Sequence, residues 1–152
     1  MSGPDPVAVR DTFTSVAPRY DLANHLLSGG IDFLWRRKLV KQARQGAHDQ
    51  ILDLATGSGD VALALRYGLS GKIKITGVDF CEPMLERARC KRDQQNLEKE
   101  LNQFLLGDCL NLEFPDESFD LITIAFGLRN LADRKLGLSE MLRVLKPGGR
   151  LM

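Results

Sequence analysis

Residues 50–62 read QILDLATGSGDVA, and this stretch decides the fold. The apolar run that ends at Ala55 has the length of a buried strand and is too short for a helix. The glycines at positions 57 and 59 permit a tight turn and let a ligand approach the backbone closely. A helix is expected to begin near Asp60. The stretch therefore predicts a strand, a glycine-rich loop and a helix, the opening unit of many α/β folds.

The same alternation continues toward the C-terminus. Short apolar runs predict three further strands at residues 73–78, 104–106 and 119–126, and a fifth strand that begins at Arg150. Helical patterns separate them over residues 83–101 and 133–145. This spacing predicts an α/β fold with a mostly parallel sheet and helices on both faces. Because the sequence stops soon after Arg150, we expect a chain truncated in strand five.

The N-terminal third has a different pattern, helical with a break at Gly29-Gly30. We predict an N-terminal helical lid or substrate segment over residues 1–48 and a cofactor-binding core over residues 49–152, within one domain overall. The stretch from Phe33 to Lys38 mixes aromatic and basic side chains. We expect its apolar face to pack on the core, with contact to an anionic membrane surface as the alternative.

Composition excludes several classes of protein. The 152 residues are 43% hydrophobic and 27% charged, as in ordinary globular domains, and the net charge of +1 shows no basic excess for nucleic acid. The three cysteines and two histidines are scattered, which argues against a metal site or a disulfide framework. The N-terminus lacks the apolar run of a signal peptide, and no stretch has the length of a transmembrane segment. We therefore expect a cytoplasmic chain.

Acidic residues follow three of the predicted strands. Asp53 ends the first strand, Asp79 follows the second and Asp108 follows the third. The carboxyl ends of parallel strands form one rim of the sheet, where such folds bind ligands. We expect the three carboxylates to serve one binding site. The alternative is that each only caps the helix or turn that follows it.

The glycine loop fits two cofactors. Residues 57–62 match the loose dinucleotide pattern, and Asp79 lies 20 residues after Gly59, where a ribose-binding acid belongs. A dinucleotide would place a pyrophosphate beside Asp60, with a repulsion of about 4 kcal/mol for unit charges about 4 Å apart. S-adenosylmethionine (SAM) carries no phosphate and has two positive groups. The acidic loop therefore favours SAM over NAD, with Asp79 at the ribose and Asp108 at the adenine.

Three segments resemble the ubiquinone/menaquinone-biosynthesis C-methyltransferases, which have the Rossmann-like class I methyltransferase fold. They are YDLANHLLSGGIDFLW at 20–35, FGLRN at 126–130 and RVLKPGGRL at 143–151. The first two are specific to the family and the third is common among methyltransferases. The predicted cofactor contacts, several of them implied by the resemblance, are Asp53, Gly57, Ser58, Gly59, Asp79, Asp108 and Cys109. Asp32 stands where the family usually has histidine, and Ala125 where many members have serine.

The resemblance implies methyl transfer from SAM to a ring carbon of a prenylated quinol. We expect demethylmenaquinol as the substrate, with a ubiquinone precursor as the alternative. We predict that Arg129 stabilises the phenolate, that Asn130 orients it, and that Tyr20 and Asn24 line the quinol site. Asp32 is a candidate to accept a proton in place of the histidine, although an ordinary aspartate is a weak base.

Two other functions stay open at this point. One is a related SAM methyltransferase with a sterol or another phenolic acceptor, against which the N-terminal signature and FGLRN argue. The other is a non-catalytic SAM-binding fragment, which the expected truncation favours. Because a prenylated quinol resides in a membrane, we also expect peripheral contact at the inner face of that membrane. The oligomeric state is left open.

Overall fold

The computed structural model describes residues 31–152, with a five-stranded parallel sheet at its centre. The strands are β1 (Gln50–Leu54), β2 (Lys74–Asp79), β3 (Asn102–Leu106), β4 (Phe119–Ile124) and β5 (Leu145–Leu151). The helices are α1 (Ile31–Ala43), α2 (Asp60–Gly68), α3 (Glu82–Gln94) and α4 (Arg134–Val144), and a single 3-10 turn spans Leu128–Asn130. The predicted α/β fold is confirmed.

The sheet order is β3-β2-β1-β4-β5, and all its neighbouring strands are parallel. The chain runs outward from β1 to β3 and then returns to place β4 on the other side of β1. The topological switch point therefore lies between β1 and β4. In sheets of this kind, the crevice beyond the carboxyl ends of these two strands is the usual ligand site.

Helices cover both faces of the sheet, as predicted. Along β1, Ile51 belongs to one hydrophobic cluster while Leu52 and Leu54 belong to another, because successive strand side chains point to opposite faces. The cluster around Ile51 includes residues of α1, α2 and α3. The cluster around Leu52 includes Met141 and Val144 of α4.

Helix α1 is held firmly against this core. A Cβ atom on Gly68 of α2 would lie 2.0 Å from Val40 of α1, so the two helices approach each other closely because position 68 is glycine. The Arg150 guanidinium of β5 donates two hydrogen bonds of 3.1 Å to the backbone oxygen of Gln42. These contacts fix α1 beside the glycine loop.

Several predicted boundaries were wrong. Helix α3 ends at Gln94 and not near residue 101, because Asn96 takes a left-handed conformation with φ 53° that ends a helix. Strand β4 ends at Ile124, and β5 begins at Leu145 with an irregular pairing before regular pairing resumes at Arg150.

Helix α4 buries only part of its apolar surface. Met141 is buried, but Leu136, Leu138 and Leu142 are exposed.

Candidate cofactor and substrate cleft

A cleft of about 300 Å³ lies at the switch point, beyond the carboxyl ends of β1 and β4. Its walls come from α1, from the glycine loop and from the loop after β4. Of the predicted site residues within 31–152, the cleft brings together Asp53, Gly57, Ser58 and Arg129. The predicted residues Tyr20 and Asn24 lie outside the described residues.

The two loops that form the cleft contain strained backbone at matching places. Ala55 follows β1 with φ 49°, and Phe126 follows β4 with φ 61°. Residues other than glycine seldom adopt this left-handed region. A Cβ atom on Gly127 would lie 2.4 Å from the Cβ atom of Ala55, so the loops are in close contact. Such strain persists only where the surrounding structure enforces it, and it is common at functional sites.

The Asp53 carboxylate is buried at the base of the cleft. It accepts hydrogen bonds of 2.6 Å from the hydroxyl groups of Thr56 and Thr123. Burial raises the pKa of Asp53 from 3.8 to about 6, because it disfavours the charged form more than the two hydroxyl groups stabilise it. A cationic ligand group in the cleft would restore part of the lost solvation.

The backbone geometry of the loop requires glycine at two positions. Gly57 has φ 55° and Gly59 has φ 82°. A Cβ atom on Gly59 would lie 2.9 Å from both Ala88 and Phe104, so a side chain is excluded on two grounds. Gly59 therefore lets α2 begin directly against α3 and β3.

Asp79 fastens the glycine loop to β2. Its buried carboxylate accepts hydrogen bonds from the backbone N–H of Gly57 at 2.8 Å and of Cys81 at 2.9 Å. Burial raises the pKa of this carboxyl above its ordinary value. Asp79 lies behind the loop and outside the cleft lining, so it positions Gly57 and Cys81, the residue that precedes α3.

Asp108 and Cys109 lie apart from the cleft. The Asp108 side chain is exposed, accepts a hydrogen bond from the backbone N–H of Leu110 and lines a separate cavity of about 190 Å³. Cys109 is part of the hydrophobic core, and burial raises the pKa of its thiol to about 12. The three acids thus do not line one cavity, since Asp53 lines the cleft, Asp79 lies behind the glycine loop and Asp108 lines the separate cavity.

Sequence reasoning missed a network of charged groups that joins α1 to the glycine loop. Asp60 pairs with Arg36 at 2.9 Å and with Lys91 at 2.7 Å. Lys91 also donates a 3.0 Å hydrogen bond to the Ser58 hydroxyl group, and Arg36 pairs with Asp32. Only the last pair had a local signal, because positions i and i+4 share a helix face.

This network weakens one argument made from the sequence. Two cations offset the charge of Asp60, so the carboxylate opposes a pyrophosphate less than the sequence alone suggests. The preference for SAM over NAD then rests on the buried carboxylate of Asp53 and on the relatives described below. The network also engages the Asp32 carboxylate, which sits on the cleft wall.

Arg129 stands on the opposite wall of the cleft, in the 3-10 turn after β4. Its side chain is exposed and makes no ion pair within residues 31–152. Asn130 lies in the same turn but outside the cleft lining, with its backbone N–H donating to the oxygen of Gly127 at 2.9 Å. The guanidinium of Arg129 is therefore available to an anionic ligand.

An aromatic pair closes the cleft between α1 and the loop after β4. The rings of Trp35 and Phe126 meet edge to face with their centroids 5.3 Å apart. The Arg36 guanidinium lies 5.9 Å from the Trp35 ring. Trp35 and Arg36 thus face the cleft, and Trp35 packs against the core as expected, whereas Phe33 and Leu34 are exposed.

The sequence model of the ubiE/COQ5 methyltransferase family matches residues 2–152. The chain belongs to this family. The resemblance of the three segments to this family is confirmed.

Curated relatives carry names that agree with the family. The chain is 51% identical to the demethylmenaquinone methyltransferase of Thermus thermophilus over 140 residues, which cover 92% of this chain and 62% of the relative. It is 48% identical to the ubiquinone/menaquinone biosynthesis C-methyltransferase UbiE of Geobacter sulfurreducens, with 93% and 55% of the two chains covered. The chain thus spans about three fifths of the length of these relatives.

A solved structure has the same fold. The crystal structure of a SAM-dependent methyltransferase from Aquifex aeolicus superposes with a TM-score of 0.65 at 27% sequence identity. The match covers 74% of this chain and 58% of that one. The predicted Rossmann-like methyltransferase fold is confirmed for the described part of the chain.

Two further features of the described part bear on its partners. Within residues 31–152, no helix combines the length and the apolar character needed to cross a membrane. The same residues contain no group of three or more His, Cys, Asp or Glu side chains placed to hold a metal ion.

Proposed function

We propose that this chain belongs to a SAM-dependent C-methyltransferase that methylates a ring carbon of a prenylated quinol, with demethylmenaquinol as the substrate. The observation that carries the proposal is the cleft itself. It combines the buried carboxylate of Asp53 on one wall with the Arg129 guanidinium on the other, in a chain of the ubiE/COQ5 family. The name of the relative from Thermus thermophilus supports the choice of quinol.

The residues of the glycine loop fit SAM. The cofactor carries an ammonium group, a sulfonium group and a carboxylate, and the buried Asp53 carboxylate suits a cation. We propose that Asp53, Gly57, Ser58, Gly59 and Asp79 hold the cofactor, and that Asp108 and Cys109 border its adenine end. When bound, SAM supplies an electrophilic methyl group.

Arg129 supplies the complementary chemistry for the acceptor. A quinol carbon is a weak nucleophile until a ring hydroxyl loses its proton, and a fixed cation beside the oxygen lowers the pKa of that hydroxyl. Arg129 can supply this cation because no carboxylate within residues 31–152 pairs with it. Asn130 orients the oxygen, and Tyr20 and Asn24 complete the quinol site as part of an N-terminal lid over residues 1–48.

Asp32 is a poor candidate for the proton acceptor in this arrangement. Its carboxylate is buried and paired with Arg36, so a proton would have to displace an ion pair. We propose that Asp32 holds Arg36 in place and does not accept the proton.

Transfer of labelled methyl from SAM to demethylmenaquinol tests the proposal. We expect Arg129→Ala to lower turnover on the order of 100-fold with SAM affinity unchanged, the usual loss for removing one oxyanion donor. Arg134→Ala, an exposed arginine outside the cleft lining, is the matched control and should keep full turnover. Normal turnover of Arg129→Ala would overturn the role of Arg129. SAM binding without turnover on any quinol would favour a non-catalytic SAM-binding chain.

We also propose contact with an anionic membrane through the outer face of α1. Ile31 and Leu34 are 64% and 65% exposed there, beside the exposed cations Arg37 and Lys38. Apolar side chains flanked by cations bind anionic interfaces. In flotation with vesicles that contain phosphatidylserine, Arg37→Glu with Lys38→Glu should reduce binding several-fold, while Arg134→Glu with Lys135→Glu on α4 should not. Equal flotation of both variants would rule out membrane contact through this face of α1.

A further inference from the structure

We infer that Arg36 binds the carboxylate at the amino-acid end of the cofactor, an inference that rests on the proposed use of SAM. Arg36 projects from α1 into the wall of the cleft, and its side chain is only 11% exposed. It lies directly across from the start of α2, where its Nη1 atom is 2.9 Å from the Asp60 carboxylate. The guanidinium therefore lies within reach of a ligand in the cleft.

The donors of Arg36 are only partly used. A guanidinium carries five N–H donors in a rigid fork. Nε donates to the backbone oxygen of Asp32 and Nη2 to the Asp32 carboxylate, while Nη1 forms an ion pair with Asp60 at 2.9 Å, so two of the five N–H groups donate hydrogen bonds within residues 31–152. A carboxylate offers acceptors in the geometry that suits such a fork, and a charge-assisted bond is stronger than a neutral one.

The ammonium and carboxylate groups of SAM match two charged residues of the cleft, Asp53 and Arg36. Within residues 31–152, the only cations that line the cleft are Arg36 and Arg129. Arg129 lies in the loop after β4 on the acceptor side, whereas Arg36 lies beside the glycine loop through its pair with Asp60. Asp53 hydrogen-bonds to hydroxyl groups and suits the ammonium group, so Arg36 is the cation left for the carboxylate.

A structural role for Arg36 is the competing explanation, because its ion pairs also tie α1 to α2. The two explanations differ in which ligands should lose affinity when Arg36 is replaced. A structural tie affects the binding of any cofactor that uses the cleft. A direct contact affects only a cofactor that has the carboxylate.

Calorimetry with SAM and with decarboxylated SAM separates these explanations. We expect Arg36→Met to weaken SAM binding roughly 10- to 100-fold and to leave the affinity for decarboxylated SAM within about twofold of wild type. Arg36→Lys should recover part of the SAM affinity. Lys41→Met, on the same helix, exposed and outside the cleft lining, is the control and should bind both ligands as wild type does.

The outcomes distinguish this inference from the proposed function. An equal loss of affinity for both ligands in Arg36→Met, or no loss for either, would overturn the contact with the carboxylate and leave the use of SAM intact. Failure of the wild-type chain to bind SAM would overturn the proposed cofactor and this inference with it. Retained binding of decarboxylated SAM also demonstrates that the variant is folded.

Discussion

The loop after β1 and the loop after β4 face each other across the cleft and differ in how their polar side chains are satisfied. In the first loop, Asp53 accepts hydrogen bonds from two hydroxyl groups, and Asp60 forms ion pairs with two cations. In the second loop, Arg129 has no ion-pair partner within residues 31–152 and Phe126 is 63% exposed.

This difference suggests a division of work between the two walls. The glycine loop is held in place before any ligand arrives, as a site that must hold one cofactor in one geometry requires. The loop after β4 keeps a cation and an aromatic side chain available for a second ligand. The comparison can be tested by disturbing each loop, and the contact between them, in turn.

The largest effect is expected from Gly59→Ala in the glycine loop. The new Cβ would meet Ala88 and Phe104 at 2.9 Å, and the backbone has φ 82°. Crowding and strain together should lower the free energy of unfolding by about 3–4 kcal/mol. Gly71→Ala is the matched control, because its φ is 100° but nothing lies within 4 Å of the added atom. Urea denaturation should show a loss of only about 1 kcal/mol there. Equal losses would contradict the packing argument.

A smaller effect on the free energy of unfolding is expected from the titration of Asp53. Its pKa rises from 3.8 in the unfolded chain to about 6 in the folded chain, so the folded state binds this proton more tightly. The free energy of unfolding should therefore fall as the pH rises from about 4 to about 6, by up to about 3 kcal/mol.

Asp53→Asn should remove most of this slope, and the raised pKa of Asp79 should leave a smaller slope of the same sign. Urea denaturation between pH 4 and pH 7 measures the difference between the two proteins. The variant should also bind SAM more weakly at pH 7, since it lacks the buried charge. A slope that is identical in wild type and variant would show that Asp53 does not titrate in this window.

The smallest effect concerns the contact between the two loops. Gly127→Ala would place a Cβ 2.4 Å from that of Ala55 and should cost about 2 kcal/mol of stability. Ala55→Gly removes the facing atom and the left-handed strain at φ 49°, so alone it should change stability by about 1 kcal/mol or less. The double variant should recover most of the loss in a denaturation cycle. Additive losses would mean that the two loops act independently.

The fold was predictable to a large extent because its signals are local. The apolar runs at 73–78 and 119–126 and the glycines at 57 and 59 each state a backbone preference within a few residues. The end of α3 was missed because Asn96, and not a glycine or proline, adopts the left-handed conformation there. The positive φ of Phe126 was missed for the same reason, since no local propensity favours it.

Only some residues of the candidate site were predictable from the sequence. The sequence alone determined the alternating α/β pattern, the glycine loop with Asp53 at its base, and the FGLRN segment that carries Arg129. The tertiary structure decided that Arg36 and Lys91 meet at Asp60, and that Asp108 lies outside the cleft. Arg36 and Lys91 come from different helices that meet only when both pack on the same face of the sheet. Local periodicity specifies which face of a helix or strand is buried. The partner of a side chain on another helix depends on how whole helices pack on the sheet.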